Sequence, residues 1–159
     1  MTKLRLKLEW LPFFACALLC VPLAGCGASV AEGKDAKNLV HVEGKVQLDG
    51  KPLAGANVVF LPINGTIGTG AAGMTDEAGA YSLVHRTGRE GVAPGQYRVV
   101  FSKLVCPDGS PIPEGKTAAD VSAVDVIPAF YSDPNADNLS SVVMVSQEGG
   151  SFAFELVSN

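Results

Sequence analysis

From Val40 onward the chain alternates between apolar and polar residues. Val40, Val42, Val46 and Leu48 are apolar, and His41, Glu43, Lys45 and Gln47 between them are polar. Successive side chains leave a strand on opposite sides, so this period of two predicts a strand with one buried face. Asp49-Gly50 supplies a turn, and residues 56–61 (ANVVFL) form a second, more fully apolar strand. A glycine-rich stretch at 64–73 leads to Met74-Thr75 and then to Asp76-Glu77-Ala78-Gly79. There the Asp76 side chain can accept bonds from the turn backbone while Gly79 takes a positive φ, which predicts a hairpin into the alternating Tyr81, Leu83 and His85. Pro94-Gly95 opens another alternation, Tyr97, Val99 and Phe101 against Gln96, Arg98 and Ser102. After a long interruption come residues 139–146, a turn at 147–150, and Phe152, Phe154 and Leu156 against Ser151, Ala153 and Glu155. About seven strands with regular turn signals and no sustained helical period predict an all-β chain, an antiparallel seven-stranded β-sandwich.

The N-terminus follows a different pattern. Lys3, Arg5 and Lys7 precede an apolar run over residues 11–25. A basic segment followed by a short apolar one is the pattern of a secretory signal peptide, and about 15 residues fall short of the roughly 20 that span a bilayer. The run ends Leu23-Ala24-Gly25-Cys26, which resembles the lipobox of bacterial lipoproteins. That resemblance implies cleavage after Gly25 and a diacylglycerol on the Cys26 thiol; an ordinary signal peptide with a coincidental Cys26 is the other reading. In either case Cys16 and Cys20 leave with the leader, so the cysteine cluster at 16–26 is neither a metal site nor a redox site. The full chain has 12 basic and 16 acidic side chains, a net charge of −4. Loss of Lys3, Arg5, Lys7 and Glu9 takes the remainder to −6, which argues against nucleic acid as a partner and against a polybasic grip on anionic lipid. Residues 27–38 (GASVAEGKDAKN) are small and polar and read as a flexible tether, averaging on the order of 20 Å end to end. The organisation expected is a signal peptide with lipobox over 1–25, a lipidated Cys26 and tether over 26–38, and one β domain over 39–159.

The stretches VEGKVQLDGKPLAGANVVFLP, GMTDEAGAYSL and APGQYRVVFSK, in this order and spacing, resemble the carboxypeptidase regulatory-like domain, a transthyretin-like (prealbumin-like) sandwich related in architecture to immunoglobulin-like domains. The segment IPAFYSDPNADNLSSVVMV with the later FAFEL resembles the ending of small bacterial lipoproteins built on that domain. The likeness covers about residues 40–157. It implies a fold and an extracytoplasmic, envelope-bound setting, and fold alone confers no activity.

Catalysis is not expected from these residues. Transthyretin-like hydrolases carry a C-terminal Tyr-Arg-Gly-Ser and several active-site histidines, whereas this chain ends FELVSN and has only His41 and His85. Both fall on alternating strands, and no G-x-S-x-G elbow accompanies them. No cofactor is expected. Asp133, Asn135 and Asp137 mimic the first oxygens of an EF-hand loop, but Asn138 stands where glycine is needed and Met144 where a bidentate glutamate is needed, so a proline-started Asx turn is the expectation and no metal is assigned. Glycan sites use exposed aromatic platforms, and Trp10 leaves with the leader. Phe60, Tyr81, Tyr97, Phe101, Phe152 and Phe154 occupy core positions, leaving Phe130 and Tyr131 in a loop-like context, where packing under the loop is favoured over ligand contact. Phe130, Tyr131, Asp133, Asn135 and Asp137 are therefore the candidate ligand or partner loop, and Asp49, Gly50, Asp76, Gly79, Pro94 and Gly95 are structural turns. Residues 104–129, with Pro107, Pro111, Pro113 and Pro128, are expected to run over the surface, and Cys106 within them is expected to be an inert thiol rather than an intermolecular disulfide. The function expected is a non-enzymatic, lipid-anchored interaction or structural module of the bacterial envelope, held to the membrane through Cys26 and contacting an unidentified envelope protein. Carbohydrate binding through the loop aromatics is the alternative.

Overall fold

The computed structural model describes residues 37–136 and 141–158. The leader with Leu23, Ala24, Gly25 and Cys26, together with Asp137 of the candidate loop, lies outside the described residues. The elements are β1 (Val42–Leu48), β2 (Lys51–Pro52), β3 (Asn57–Pro62), β4 (Ala71–Met74), β5 (Ala80–Ser82), β6 (Val84–His85), β7 (Gly95–Ser102), β8 (Leu104–Val105), β9 (Val124–Asp125), a one-turn helix α1 (Ala129–Ser132), β10 (Val142–Val145) and β11 (Gly150–Leu156). Seven of these strands have three or more residues, and the other four have two. The chain is all-β, as its alternation predicts.

Two sheets enclose the core. One is five-stranded, in the order β10-β7-β3-β4-β6. The other places β1 between β11 and a pair of short strands, β2 and β5. Inward residues of both, including Val42, Val46, Val58, Phe60, Tyr81, Tyr97, Val99, Phe101, Phe154 and Leu156, form one buried cluster. Phe60 stands at its centre, with ring centroids 6.4 Å from Tyr81, 5.9 Å from Tyr97 and 6.1 Å from Phe152. Phe101 and Phe154 meet edge-on at 5.0 Å. This is a sandwich-like packing of sheet on sheet, in which the inner faces interdigitate.

The turns form as their residues dictate. Asp49 and Gly50 both have positive φ, 50° and 73°, the geometry that lets two residues reverse a twisted hairpin. Asp76 Oδ1 accepts from the backbone N–H groups of Ala78 and Ala80, both at 2.8 Å, and Gly79 has φ 73°. Pro94-Gly95 is the exception: Gly95 is not in a turn but is the first residue of β7, paired with Val145 of β10, because its near-extended backbone (φ 156°) lets the strand begin there.

One expectation is corrected: the pairing is not wholly antiparallel. β1 and β11 run parallel through seven residue pairs, from Val42 beside Gly150 to Leu48 beside Leu156. An alternating pattern fixes which face of a strand is buried but says nothing of its direction relative to a distant neighbour. A second departure concerns the run at 80–85, which divides between the sheets: Ala80–Ser82 pairs with β1 and Val84–His85 with β4. Leu83, wholly buried, is the crossing point, with its N–H donating to Val42 O and its carbonyl accepting from Gly91 N–H.

At the middle of β1, Gly44 lies between Tyr81 of β5 and Phe152 of β11. The Tyr81 hydroxyl donates to Phe152 O across it at 3.0 Å, and burial pushes that phenol's pKa up. A β-carbon on Gly44 would collide with Phe152 O and stand 2.8 Å from the Tyr81 hydroxyl. Overpacking of this kind costs about 1–3 kcal/mol and a lost hydrogen bond about 1 kcal/mol. Gly44→Ala is therefore expected to lower the unfolding free energy by roughly 2–4 kcal/mol in a urea titration, and Tyr81→Phe by only about 1 kcal/mol.

Candidate functional site

The candidate loop begins where the long excursion returns to the core. Leu104 and Val105 pair with Asp125 and Val124, which ties the two ends of the excursion together. Asp125 Oδ1 reinforces this neck by accepting from Lys103 N–H at 3.0 Å and Ile127 N–H at 2.9 Å, and Ile127 is buried. Proline-rich sequence without sustained alternation concealed this two-residue ladder. Beyond the neck, Asp108 accepts from the Ser110 hydroxyl at 2.6 Å and the Ser110 N–H at 2.9 Å. Asp120 accepts from Thr117 N–H and the Thr117 hydroxyl, each at 2.8 Å. These bonds to Ser110 and to Thr117 hold the Asp108 and Asp120 carboxyls below their ordinary range. The excursion is thus ordered by its own side chains. Cys106 is buried at its root, with Sγ directed to Pro111 O at 3.7 Å.

Phe130 and Tyr131 lie on α1 rather than in a loop, because Pro128 O accepts from Tyr131 N–H and Ala129 O from Asp133 N–H, both at 2.8 Å. Their rings meet nearly perpendicular, centroids 5.2 Å apart, yet they face different surroundings. Tyr131 packs against the core and its hydroxyl accepts from Val157 N–H at 3.3 Å. Phe130 is 52% exposed. The pair therefore does not present one flat platform: Tyr131 packs against the core, whereas Phe130, for which packing was equally expected, turns its ring outward. Asp133 Oδ1 accepts from Asn135 N–H at 2.8 Å, the Asx turn expected from Asp133-Pro134-Asn135. Arg98 of β7, which sequence reading left as an ordinary polar strand residue, braces this turn through Nη1 to Pro134 O at 2.8 Å.

A cavity of about 130 Å³ opens between Tyr131, Phe101, Ser141 and the Ala153–Leu156 end of β11. Ligand sites of ordinary drug size occupy about 300 Å³ or more. Two shallow depressions of about 300 and 340 Å³ lie over β1, with Lys45 and Ala153 shared between them. The histidines are far apart in character. His41 is exposed, its Nε2 3.3 Å from Glu43 Oε2. His85 is buried, with Nε2 3.1 Å from the Thr69 hydroxyl and Nδ1 2.9 Å from the Thr87 hydroxyl. Among the described residues, no three His, Cys, Asp or Glu side chains are grouped to hold a metal ion, and no helix is long and apolar enough to cross a membrane.

No protein-family model matches the chain, and no curated protein matches it. Among solved structures it is similar to a 9R-lipoxygenase from Cyanothece PCC8801, at 14% identity and a TM-score of 0.36. The likeness covers 80% of this chain, which spans 17% of the lipoxygenase chain. The expectation that this chain is no enzyme is corrected on that finding, since the structure it resembles is an enzyme's; at this TM-score the likeness assigns no activity in its place.

The carboxylate caps make the excursion acid-sensitive. Their pKa values are depressed by the fold, so their contribution is present above the unfolded carboxylate range and is lost as pH falls through the folded values. Amide exchange at Ser110 and Thr117 is expected to be slow at neutral pH, after correction for intrinsic rates, and to lose protection below about pH 4. Retained protection at pH 2 would contradict the capping role.

Proposed function

We propose that this chain is a lipid-anchored, extracytoplasmic interaction or structural module of the bacterial cell envelope. The observation that carries the reading is the leader: a basic segment, a short apolar run and Leu23-Ala24-Gly25-Cys26, followed by a small polar stretch before the first strand. On this reading the seven strands of three or more residues are those of a carboxypeptidase regulatory-like, transthyretin-like sandwich. Cys26 carries the lipid, and residues 27–38 hold the domain just off the bilayer. The contact surface is the ordered excursion with α1, where Leu104, Val124, Val126 and Phe130 are each at least 40% exposed and the Asp108 and Asp120 caps keep the backbone in one shape. Such a preformed loop binds without the entropic cost of ordering.

The exposed Phe130 ring favours a second reading, a carbohydrate-binding lipoprotein, in which Phe130 stacks on a sugar face beside the Asp133–Asn135 turn.

Fractionation and crosslinking of intact cells separate these readings. Wild-type protein is expected in the membrane fraction, and Cys26→Ser is expected to leave it; an unchanged distribution would overturn the anchor. Crosslinking mass spectrometry is expected to join residues 104–136 to an envelope protein in the wild type and to lose that link in Cys26→Ser. Retention on isolated envelope polysaccharide, abolished by Phe130→Ala and without protein crosslinks, would instead establish the carbohydrate reading.

A further inference from the structure

The free edge of β11 carries an inference that does not depend on the anchor. Three observations fix which backbone groups of β11 face β1. Gly150 N–H donates to His41 O, Leu156 O accepts from Asp49 N–H, and Phe152 O accepts from the Tyr81 hydroxyl. Even-numbered residues of β11 thus spend their N–H and C=O groups on β1, and among the described residues β11 pairs with no other strand. The N–H and C=O groups of Ser151, Ala153 and Glu155 therefore point the other way, along an edge where no protein group among the described residues meets them. Just past that edge Tyr131 takes the Val157 N–H, which marks where the open row ends.

Such an edge is a template for another strand, and proteins usually blunt it with short strands, proline, lysine or a bulge. The other outer strands here follow that practice: β2 has two residues and includes Pro52, β6 has two, β5 has three and β10 has four. β11 has seven residues, with neither proline nor lysine, in unbroken register with β1.

We propose that a second copy of this chain pairs with β11, edge to edge and antiparallel, about a two-fold axis through Ala153. The sequence of the strand is complementary to itself in that register. Ala153 faces its own copy, so the smallest side chain sits on the axis; Ser151 faces Glu155 of the other copy, a hydroxyl donor opposite a carboxylate; and Phe152 faces Phe154 on the core side. No like charges meet. The parity also fits: residues 151, 153 and 155 all have their backbone groups outward, so they form three hydrogen-bonded pairs and six backbone bonds, with opposed α-carbons about 5.5 Å apart. The shallow depressions beside Ala153 lie on the outer face of the sheet, and the cavity lined by Tyr131 and Ser141 borders the same strand from Ala153 to Leu156. A single strand pair buries less than the roughly 1,200 Å² of a stable interface, so the dimer forms in proportion to concentration and is favoured where chains are held together on one surface.

The test is sedimentation equilibrium of the full-length protein in density-matched detergent, with two charge variants of the exposed Ala153. The wild type is expected to dimerise with rising concentration. Ala153→Asp and Ala153→Lys each place like charges against each other on the axis and are expected to weaken association at least tenfold, with circular dichroism unchanged. An equimolar mixture of the two is expected to restore dimer, because Asp then faces Lys. Wild type that stays monomeric at about 100 μM would overturn the proposal. So would variants that dimerise like wild type, or a mixture that stays monomeric.

Discussion

The fold depends on one long-range pairing, the parallel ladder between β1 at the start of the domain and β11 at its end. Seven residue pairs join strands that lie more than a hundred positions apart. Closing so large a loop costs entropy that only the completed ladder and the burial beneath it can offset. The Tyr81 hydroxyl links the third strand of that sheet to β11 across Gly44, so the sheet is bonded by a side chain as well as by its backbone. A glycine inside a strand ordinarily weakens it. Here its lack of a side chain is what allows two neighbouring strands to be tied over it.

The two sheets are held together by a cluster whose largest members are aromatic. Phe60 contributes from the five-stranded sheet and receives Tyr81 and Phe152 from the other. The crossing at Leu83 makes this more than a stack of separate layers, because one continuous run of residues is hydrogen-bonded to both sheets. The same crossing carries His85 inward, where Thr69 and Thr87 meet its two nitrogens. Both ring nitrogens of this buried histidine thus have hydroxyl partners in the segments around β6.

The surface divides into parts with different physical characters. Residues 104–127 are bound into shape by aspartate caps, a two-residue ladder and the buried Ile127, which suits recognition by a fixed surface. The α1 segment is anchored at Tyr131 and braced through Arg98 to Pro134, leaving Phe130 as its outward aromatic. The β11 edge offers backbone groups instead of side chains, and its specificity lies in register. Lipid anchorage would orient all three with respect to one membrane and raise the local concentration of each.

Taken alone, the sequence was sufficient for the longer strands, their buried faces and most of their turns, but not for the β8–β9 ladder or the helical turn of α1. Each of these is set by neighbours within a few positions: Tyr97, Val99 and Phe101 by alternation, Asp49-Gly50 and Asp76 to Gly79 by the backbone preferences and hydrogen bonding of those residues. The same locality made the Asx turn at Asp133 legible. Tertiary structure decided which strands became partners, and with that the parallel direction of β11, the division of residues 80–85 between sheets, the burial of His85, the use of Gly44 and the separation of Phe130 from Tyr131. A period of two identifies a face but carries no information about the strand beside it. That choice is made by packing and closure across the whole domain, where strands as far apart as β1 and β11, 108 positions, become partners.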